Sequence, residues 1–149
     1  MGQLQLVEQG MTVEEYFESE KASEIRHEYN NGEIYAMAGT TLNHNNIVGN
    51  VWAAFKGILR SRGLRVFFEN IKLKVSDSCY LYPDVIVTCA LKDVSGTYVV
   101  EHSSILVEVT SKNSDVKDRG FKLKQYKTIP SLQYYMLVSQ LECSVELYS

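Results

Sequence analysis

Only two prolines, Pro83 and Pro130, occur in 149 residues. No Pro- or Gly-rich stretch, low-complexity run or internal repeat interrupts the chain, so nothing marks a linker or a second domain. No apolar run approaches the roughly 20 residues that a membrane helix needs, which excludes a spanning helix. Met1 to Gly10 has neither a basic head nor an apolar stretch and does not read as a signal peptide. The cysteines, Cys79, Cys89 and Cys143, are odd in number and lack CxxC spacing. They read as reduced, small buried hydrophobes of a cytoplasmic protein, not as a disulfide framework or a zinc site. A glycine-rich phosphate loop with its lysine is also missing, so nucleotide binding of that kind has no support. His27, His44 and His102 have no partner pattern around them, which leaves serine- or cysteine-nucleophile chemistry equally unsupported.

What remains is an ordinary globular composition. Apolar residues make up 45% and charged residues 22% of the chain, enough for one domain with its own core over residues 1–149. The formal net charge is −3 and the isoelectric point is near 5.6, which argues against a strong nonspecific nucleic-acid binder. The distribution is less hostile to that idea. Between Lys112 and Lys127 six basic residues (Lys112, Lys117, Arg119, Lys122, Lys124, Lys127) face two acids, Asp115 and Asp118. On charge alone this is a solvated helix face. Ten tyrosines and five phenylalanines suit a core and a dimer interface equally.

Apolar periodicity sets the order of elements. Thr12 to Glu20 predicts a short helix, with Thr12 and Glu15 forming a capping box. Ile25 to Tyr29 and Glu33 to Ala38 flank Asn30-Asn31-Gly32, a hairpin signal because Asn and Gly tolerate positive φ. This N-terminal unit (12–38) precedes a core expected over 41–149. In that core Thr41 to Arg62 is the clearest helix. Ile47, Val48, Val51, Trp52, Phe55, Ile58 and Leu59 form one stripe, and Gly63 is placed to end it. Leu64 to Phe68 and Ile71 to Val75 are strand-like, with a turn at Ser76-Asp77-Ser78. Tyr80 to Cys89 reads as a strand in which Pro83 implies an edge or a bulge, and Leu91 to Gly96 as a loop. Ser104 to Thr110 is a nearly continuous apolar strand. Val116 to Lys127 is a helix that ends before Ile129-Pro130. Gln133 to Val138 and Ser144 to Tyr148 complete a hairpin. This order argues for a mixed α/β (α+β) fold, a mixed sheet with helices on its faces.

Asp84 and Glu108 stand out because each interrupts an apolar strand. A carboxylate in a central strand is costly unless it is paired or binds a metal. The two strands are joined by a loop and are expected side by side. Converging carboxylates there make a hard-cation site suited to Mg²⁺ or Mn²⁺. The competing reading is an exposed strand end, or acids salt-bridged to lysines. Glu108 shares its strand face with Thr110. Asp118, Lys122 and Tyr126 are four apart and share a helix face, from which Lys122 can reach the strand of Glu108.

These residues resemble the PD-(D/E)xK nuclease superfamily, with Pro83-Asp84 as its first half-motif and Glu108-Val109-Thr110 where its second half stands. More closely, the chain resembles the Uma-type family of putative restriction endonucleases, from about Thr12 to Tyr148. The marks are Arg26-His27-Glu28-Tyr29 with Gly32-Glu33-Ile34, His44 at the start of the long helix, Tyr82-Pro83-Asp84-Val85, and Val107-Glu108-Val109. Asp118-Arg119-Gly120-Phe121-Lys122-Leu123 with Tyr126, and Ile129-Pro130-Ser131-Leu132, complete the set. The resemblance implies a three-layer α/β/α restriction-endonuclease-like core with a mixed central sheet. It also implies a divalent metal (Mg²⁺ or Mn²⁺) and hydrolysis of DNA phosphodiester bonds. By the same resemblance Asp84 and Glu108 are the metal ligands, with the backbone carbonyl of Val109 a candidate third. The superfamily lysine is replaced by Thr110 and is matched by Lys122 on the following helix. Similar proteins extend past Ser149, so a further terminal segment is expected.

The chemistry expected from this set is metal-assisted hydrolysis, with Lys122 positioning water and stabilising charge on the phosphoryl oxygens. Glu28 and His44 join the catalytic set. Glu28 completes a second metal site or orients water; His44 acts in catalysis or caps its helix. Tyr82 and Tyr126 read as core or rim. Lys112, Lys117 and Lys124 are candidate contacts to the nucleic-acid backbone. Such nucleases often work as homodimers, because cutting both strands needs two sites. The competing functional class is a nuclease-fold binding module with weak or no catalysis.

Overall fold

The computed structural model describes residues 5–149. The first four residues of the Met1–Gly10 segment lie outside the described residues. The chain forms two mixed sheets with helices packed on them, the α/β composition expected from the sequence.

The first sheet has the order β1-β3-β2-β6-β5-β8. Its strands are β1 (Gln5–Glu8), β2 (His27–Asn30), β3 (Glu33–Ala36), β5 (Lys72–Ser76), β6 (Cys79–Leu81) and β8 (Val99–Val100). The β2–β3 turn follows its sequence: Asn31 has φ 48° and Gly32 φ 90°, the two positive values that a tight hairpin turn requires. Helix α1 (Val13–Ala22) carries the expected capping box between Thr12 and Glu15. Its inward residue Tyr16 stacks on Tyr29 at 5.0 Å between ring centroids, and with Ile34 and Tyr80 the two rings form a small core against the outer face of this sheet.

The second sheet runs β11-β10-β9-β7-β4, from β4 (Arg65–Phe68), β7 (Val85–Thr88), β9 (Ser103–Thr110), β10 (Tyr134–Ser139) and β11 (Val145–Tyr148). β9 and β10 are parallel, β7 and β9 antiparallel. β9 is central, and its side chains alternate between two cores. Val107 and Val109 join Val48 and Val85 beneath α2 (Leu42–Leu59). Leu106 joins Ile86, Leu73, Leu81 and Tyr126 between the two sheets. The helix stripe packs as its spacing predicts through Ile47, Val48, Val51 and Phe55, but Ile58 in the last turn is exposed. Gly63, with φ 76°, ends the helix.

Three expectations need correction. Of the cysteines only Cys79 is buried; Cys89 and Cys143 are exposed. The segment Tyr80 to Cys89 is not one strand. It breaks at Tyr82-Pro83-Asp84 into β6 and β7, which belong to different sheets. Pro83 has no N–H to give to a ladder and fixes its own φ. The chain therefore changes sheets there instead of bulging within one. Leu91 to Gly96, expected as a loop, contains the short helix α3 (Leu91–Ser95). Helix α3 holds Asp93, whose buried carboxylate accepts from the Thr88 hydroxyl (2.8 Å) and from the amides of Glu101 and His102 (2.9 Å each). These bonds tie the end of β7 to the start of β9.

Burial alone pushes the Asp93 pKa up, but the amide of Glu101, the Thr88 hydroxyl and His102 outweigh it and hold the carboxyl below the ordinary range. A depressed folded-state pKa means stability that is present above the unfolded value, near 3.9, and lost as pH falls through the folded value. Asp93→Ala is expected to lose about 2–3 kcal/mol at pH 7. Urea melts of both proteins should show that gap closing below about pH 4.

Candidate functional site

The sheet crossing at Pro83 puts Asp84 immediately before β7 and level with Glu108 in β9, since Val85 pairs antiparallel with Val107. Asp84 and Glu108 are both buried, and Asp84 bonds the amide of Val109, the residue after Glu108. Opposite them runs the helical segment 115–126, which is not a uniform α-helix. α4 (Asp115–Lys117) passes into a π turn (Asp118–Lys122) and then into α5 (Leu123–Tyr126). Widened turns of this kind are rare and concentrate at functional sites. Asp118, Lys122 and Tyr126 all face inward and are buried, the shared face that their spacing predicts. β2 contributes Glu28 from the first sheet, and the first turn of α2 contributes His44.

Lys122 is the hub, with no exposed surface. Its Nζ donates to Glu108 Oε1 at 2.8 Å and lies 3.6 Å from Glu28 Oε1 and 3.7 Å from Asp118 Oδ1. Tyr126 donates its hydroxyl to the same Glu108 oxygen at 2.7 Å. Asp84 Oδ2 accepts the Val109 amide at 2.7 Å and faces His44 Nε2 at 3.2 Å. An ionised carboxylate only accepts, so Nε2 is the donor, and Nδ1 is left to the Thr40 hydroxyl at 2.6 Å. The cap of this helix is Thr41, whose Oγ1 accepts the His44 amide at 3.1 Å. Glu28 Oε1 accepts the Tyr82 amide at 3.2 Å, and Oε2 pairs with Lys117 Nζ at 2.8 Å.

Four carboxylates (Glu28, Asp84, Glu108 and Asp118) therefore face two ammonium groups, Lys122 and the half-buried Lys117. The electrostatics register this surplus of negative charge. Burial, with Asp84 and Asp118 nearby, outweighs Lys122 and holds the Glu108 pKa well above the carboxylate range. Burial likewise raises Asp118 against the pull of Lys122. Burial would also raise Asp84, yet the bond and charge of His44, the charge of Lys122 and the Val109 amide together hold it low. Burial opposes the charge of Lys122, but the surrounding Glu108, Glu28, Asp118 and Asp84 keep it firmly protonated. Two buried polar atoms, Asp118 Oδ1 and Ser103 Oγ, have no hydrogen-bond partner among the described residues; the first is in this site.

This donor chemistry fits a hard dication. Asp84 Oδ1 and Glu108 Oε2 take part in none of the described hydrogen bonds of the site, so each acid has an oxygen to offer. Among the described residues no group of three or more His, Cys, Asp or Glu side chains is arranged to hold a metal. Two carboxylates with a backbone oxygen and water would suit Mg²⁺, which keeps several of its waters.

The structure brings together Asp84, Glu108, Lys122, Glu28 and His44. It divides the three lysines expected on a backbone-contact face: Lys112 and Lys124 are exposed, whereas Lys117 turns inward onto Glu28. Sequence reading placed Asp118 and Tyr126 on the inward face without giving either a role in the site; the four-residue spacing from Lys122 was the available signal. Thr40 gave no signal.

Comparison with known proteins shows the family and the fold. The profile of the Uma2 family, described as "Putative restriction endonuclease", matches residues 13–149. Two uncharacterized proteins of Synechocystis sp. are similar along most of the chain. slr1290 is 34% identical over 139 residues, 93% of this chain and 73% of that protein. sll1609 is 30% identical over 141 residues, 93% and 80% of the respective chains. The fold is shared with a crystal structure of a putative nuclease belonging to DUF820 from Anabaena variabilis. That likeness has a TM-score of 0.75 at 20% identity and covers 93% of this chain and 79% of the other. The chain belongs to the Uma2 family of putative restriction endonucleases.

Proposed function

We propose that this protein is a divalent-metal-dependent endodeoxyribonuclease that hydrolyses phosphodiester bonds in DNA. The observation that carries the reading is the convergence of Asp84 and Glu108, from adjacent strands of one sheet, on a lysine held 2.8 Å from Glu108. Asp84 and Glu108 are the residues that would hold Mg²⁺ or Mn²⁺, with the Val109 carbonyl as a further oxygen. A bound ion supplies Lewis acidity toward the phosphate and lowers the pKa of a water.

The remaining tasks fall to the chain itself. His44 and the Val109 amide fix the orientation of Asp84, as Tyr126 fixes that of Glu108, which keeps the two acids preorganised. Lys122 is placed to orient water and to offset charge growing on the phosphoryl oxygens. Glu28 holds Lys122 and Lys117 by charge. Exposed Lys112 and Lys124 are suited to backbone phosphates of the DNA. A homodimer in the cytoplasm supplies the two sites that a double-strand cut requires; no helix among the described residues is long and apolar enough to cross a membrane. A second reading, a nucleic-acid-binding or partner-binding module without turnover, draws on the full burial of Lys122 and on the acidic balance of the chain.

Plasmid DNA incubated with Mg²⁺ or Mn²⁺ separates the two. Wild type is expected to cut. Asp84→Ala and Lys122→Ala are expected to cut at least about 100-fold more slowly, and a chelator to stop cleavage. Binding without cutting by folded wild type would select the module.

Lys122 also carries a stability consequence. Lys122→Met leaves Glu108, Glu28 and Asp118 buried around an apolar side chain, expected to cost about 3–5 kcal/mol at pH 7. The acids then have raised folded-state pKa values, so the penalty grows as pH rises above about 4 and shrinks below it. Denaturant melts from pH 4 to 8 check this sign.

A further inference from the structure

A concave site lies on the α1 face of the first sheet, apart from the candidate catalytic residues described above. It is a cavity of about 700 Å³ lined by Phe17, Arg26, Asn70, Lys72, Tyr82 and Tyr98, among others. Lys72, at the start of β5, is 7% exposed and lines this space. Its ammonium sits 4.5 Å from the Tyr16 ring centre and 4.4 Å from that of Phe17. Among the described residues it makes no hydrogen bond to an acceptor and no ion pair. The nearby carboxylate, Glu20, is already committed. It accepts from the Tyr82 hydroxyl at 2.8 Å and from the His27 amide at 3.3 Å, and pairs with His27 Nδ1 at 2.7 Å. Arg26 is close enough that its charge acts on Lys72. Arg26 forms no ion pair among the described residues, reaching only the Glu20 carbonyl at 3.5 Å. Two like charges thus converge on one cavity of a chain whose net charge is −3.

Burial lowers the Lys72 pKa; Glu20 opposes this and Arg26 reinforces it. An anion placed in the cavity would relieve both the desolvation of Lys72 and its repulsion with Arg26.

The cavity is also tied to the catalytic acids. Tyr82 lines it, and two residues later stands Asp84, so their Cα atoms are at most about 7 Å apart. The Tyr82 amide donates to Glu28. On the other side Glu69, next to Asn70, gives its amide to the Asp84 carbonyl at 3.1 Å. Glu69 and Asn70 hold φ of 45° and 58°, a left-handed pair of non-glycine residues that fixes this wall.

We propose that the cavity is a phosphate subsite for the nucleic-acid strand, in which Lys72 and Arg26 neutralise a backbone phosphate other than the one cut. Tyr98, exposed on the same lining, offers its ring face to a base. The proposal rests on the nuclease reading for the identity of the strand, and neither cation belongs to the catalytic set.

Fluorescence anisotropy of a labelled single-stranded oligonucleotide, with chelator present to prevent cleavage, tests it. Wild type, Arg26→Gln and Lys72→Met are compared across a salt series. Arg26→Gln and Lys72→Met are each expected to weaken binding about fivefold to tenfold. Each should also flatten the log–log salt slope by about 0.7, the value for one phosphate contact on a single strand. Arg26 is exposed, so its variant remains informative even if Lys72→Met does not fold. Unchanged affinity and slope in Arg26→Gln and in any folded Lys72→Met overturns the subsite, whether or not the protein cuts DNA. Binding of inorganic phosphate or adenosine monophosphate that depends on Arg26, without oligonucleotide binding, overturns the nucleic-acid assignment. Loss of binding in the variants of a protein that never cuts DNA leaves the subsite standing and removes the catalytic reading instead.

Discussion

The ion pair between Lys122 and Glu108 is the contact on which the rest of the centre depends. One fully buried ammonium group lies within 4 Å of three carboxylates from three different elements: β9, β2 and the π turn. Burying ions is expensive, and their attraction repays the cost only when geometry and extra hydrogen bonds are good. Here Tyr126, Tyr82 and Lys117 each supply part of that satisfaction, and Val109 and His44 do the same for neighbouring Asp84. Even so, negative charge remains in excess, and the raised pKa of Glu108 expresses it. A core evolved for stability alone gains nothing from this surplus, whereas a centre that receives a dication uses it.

Two irregularities of the backbone make this arrangement possible. Pro83 ends one strand ladder and lets the chain pass from β6 in the first sheet to β7 in the second. Asp84 therefore stands at a junction instead of mid-ladder, and its Oδ2 can receive the Val109 amide. The π turn at Asp118–Lys122 shapes the helix opposite. Both occur where regular structure would have left the acids and the lysine apart or unsatisfied, and neither lies in the part of the fold that only supplies core.

Much of this was legible in the sequence, for identifiable reasons. Asp84 and Glu108 were conspicuous because charge in an apolar strand has to be explained. The inward face of Asp118, Lys122 and Tyr126 followed from helical spacing alone. Glu28 and His44 could be reached only through the family resemblance, because the elements that bring them in, β2 and the first turn of α2, are remote in sequence from β7 and β9. Other features were hidden. A proline within an apolar run does not say whether the strand bulges or leaves its sheet, since that depends on which partner strands exist. Leu91 to Ser95 is too short for periodicity to declare it a helix. Lys117 looks like any solvated lysine until a hairpin from the far end of the chain places Glu28 beside it. The cation pair of Arg26 and Lys72 was equally invisible, because β2 and β5 meet only through β6.

The central claim is that the surplus of buried carboxylate charge is the receptor for one divalent ion. Calorimetric titration of Mn²⁺ into wild type, Glu108→Gln and Asp84→Asn tests it most directly. The account predicts saturable binding by wild type and loss of that binding in both variants. Equal Mn²⁺ binding by all three folded proteins, or none by wild type, would contradict it.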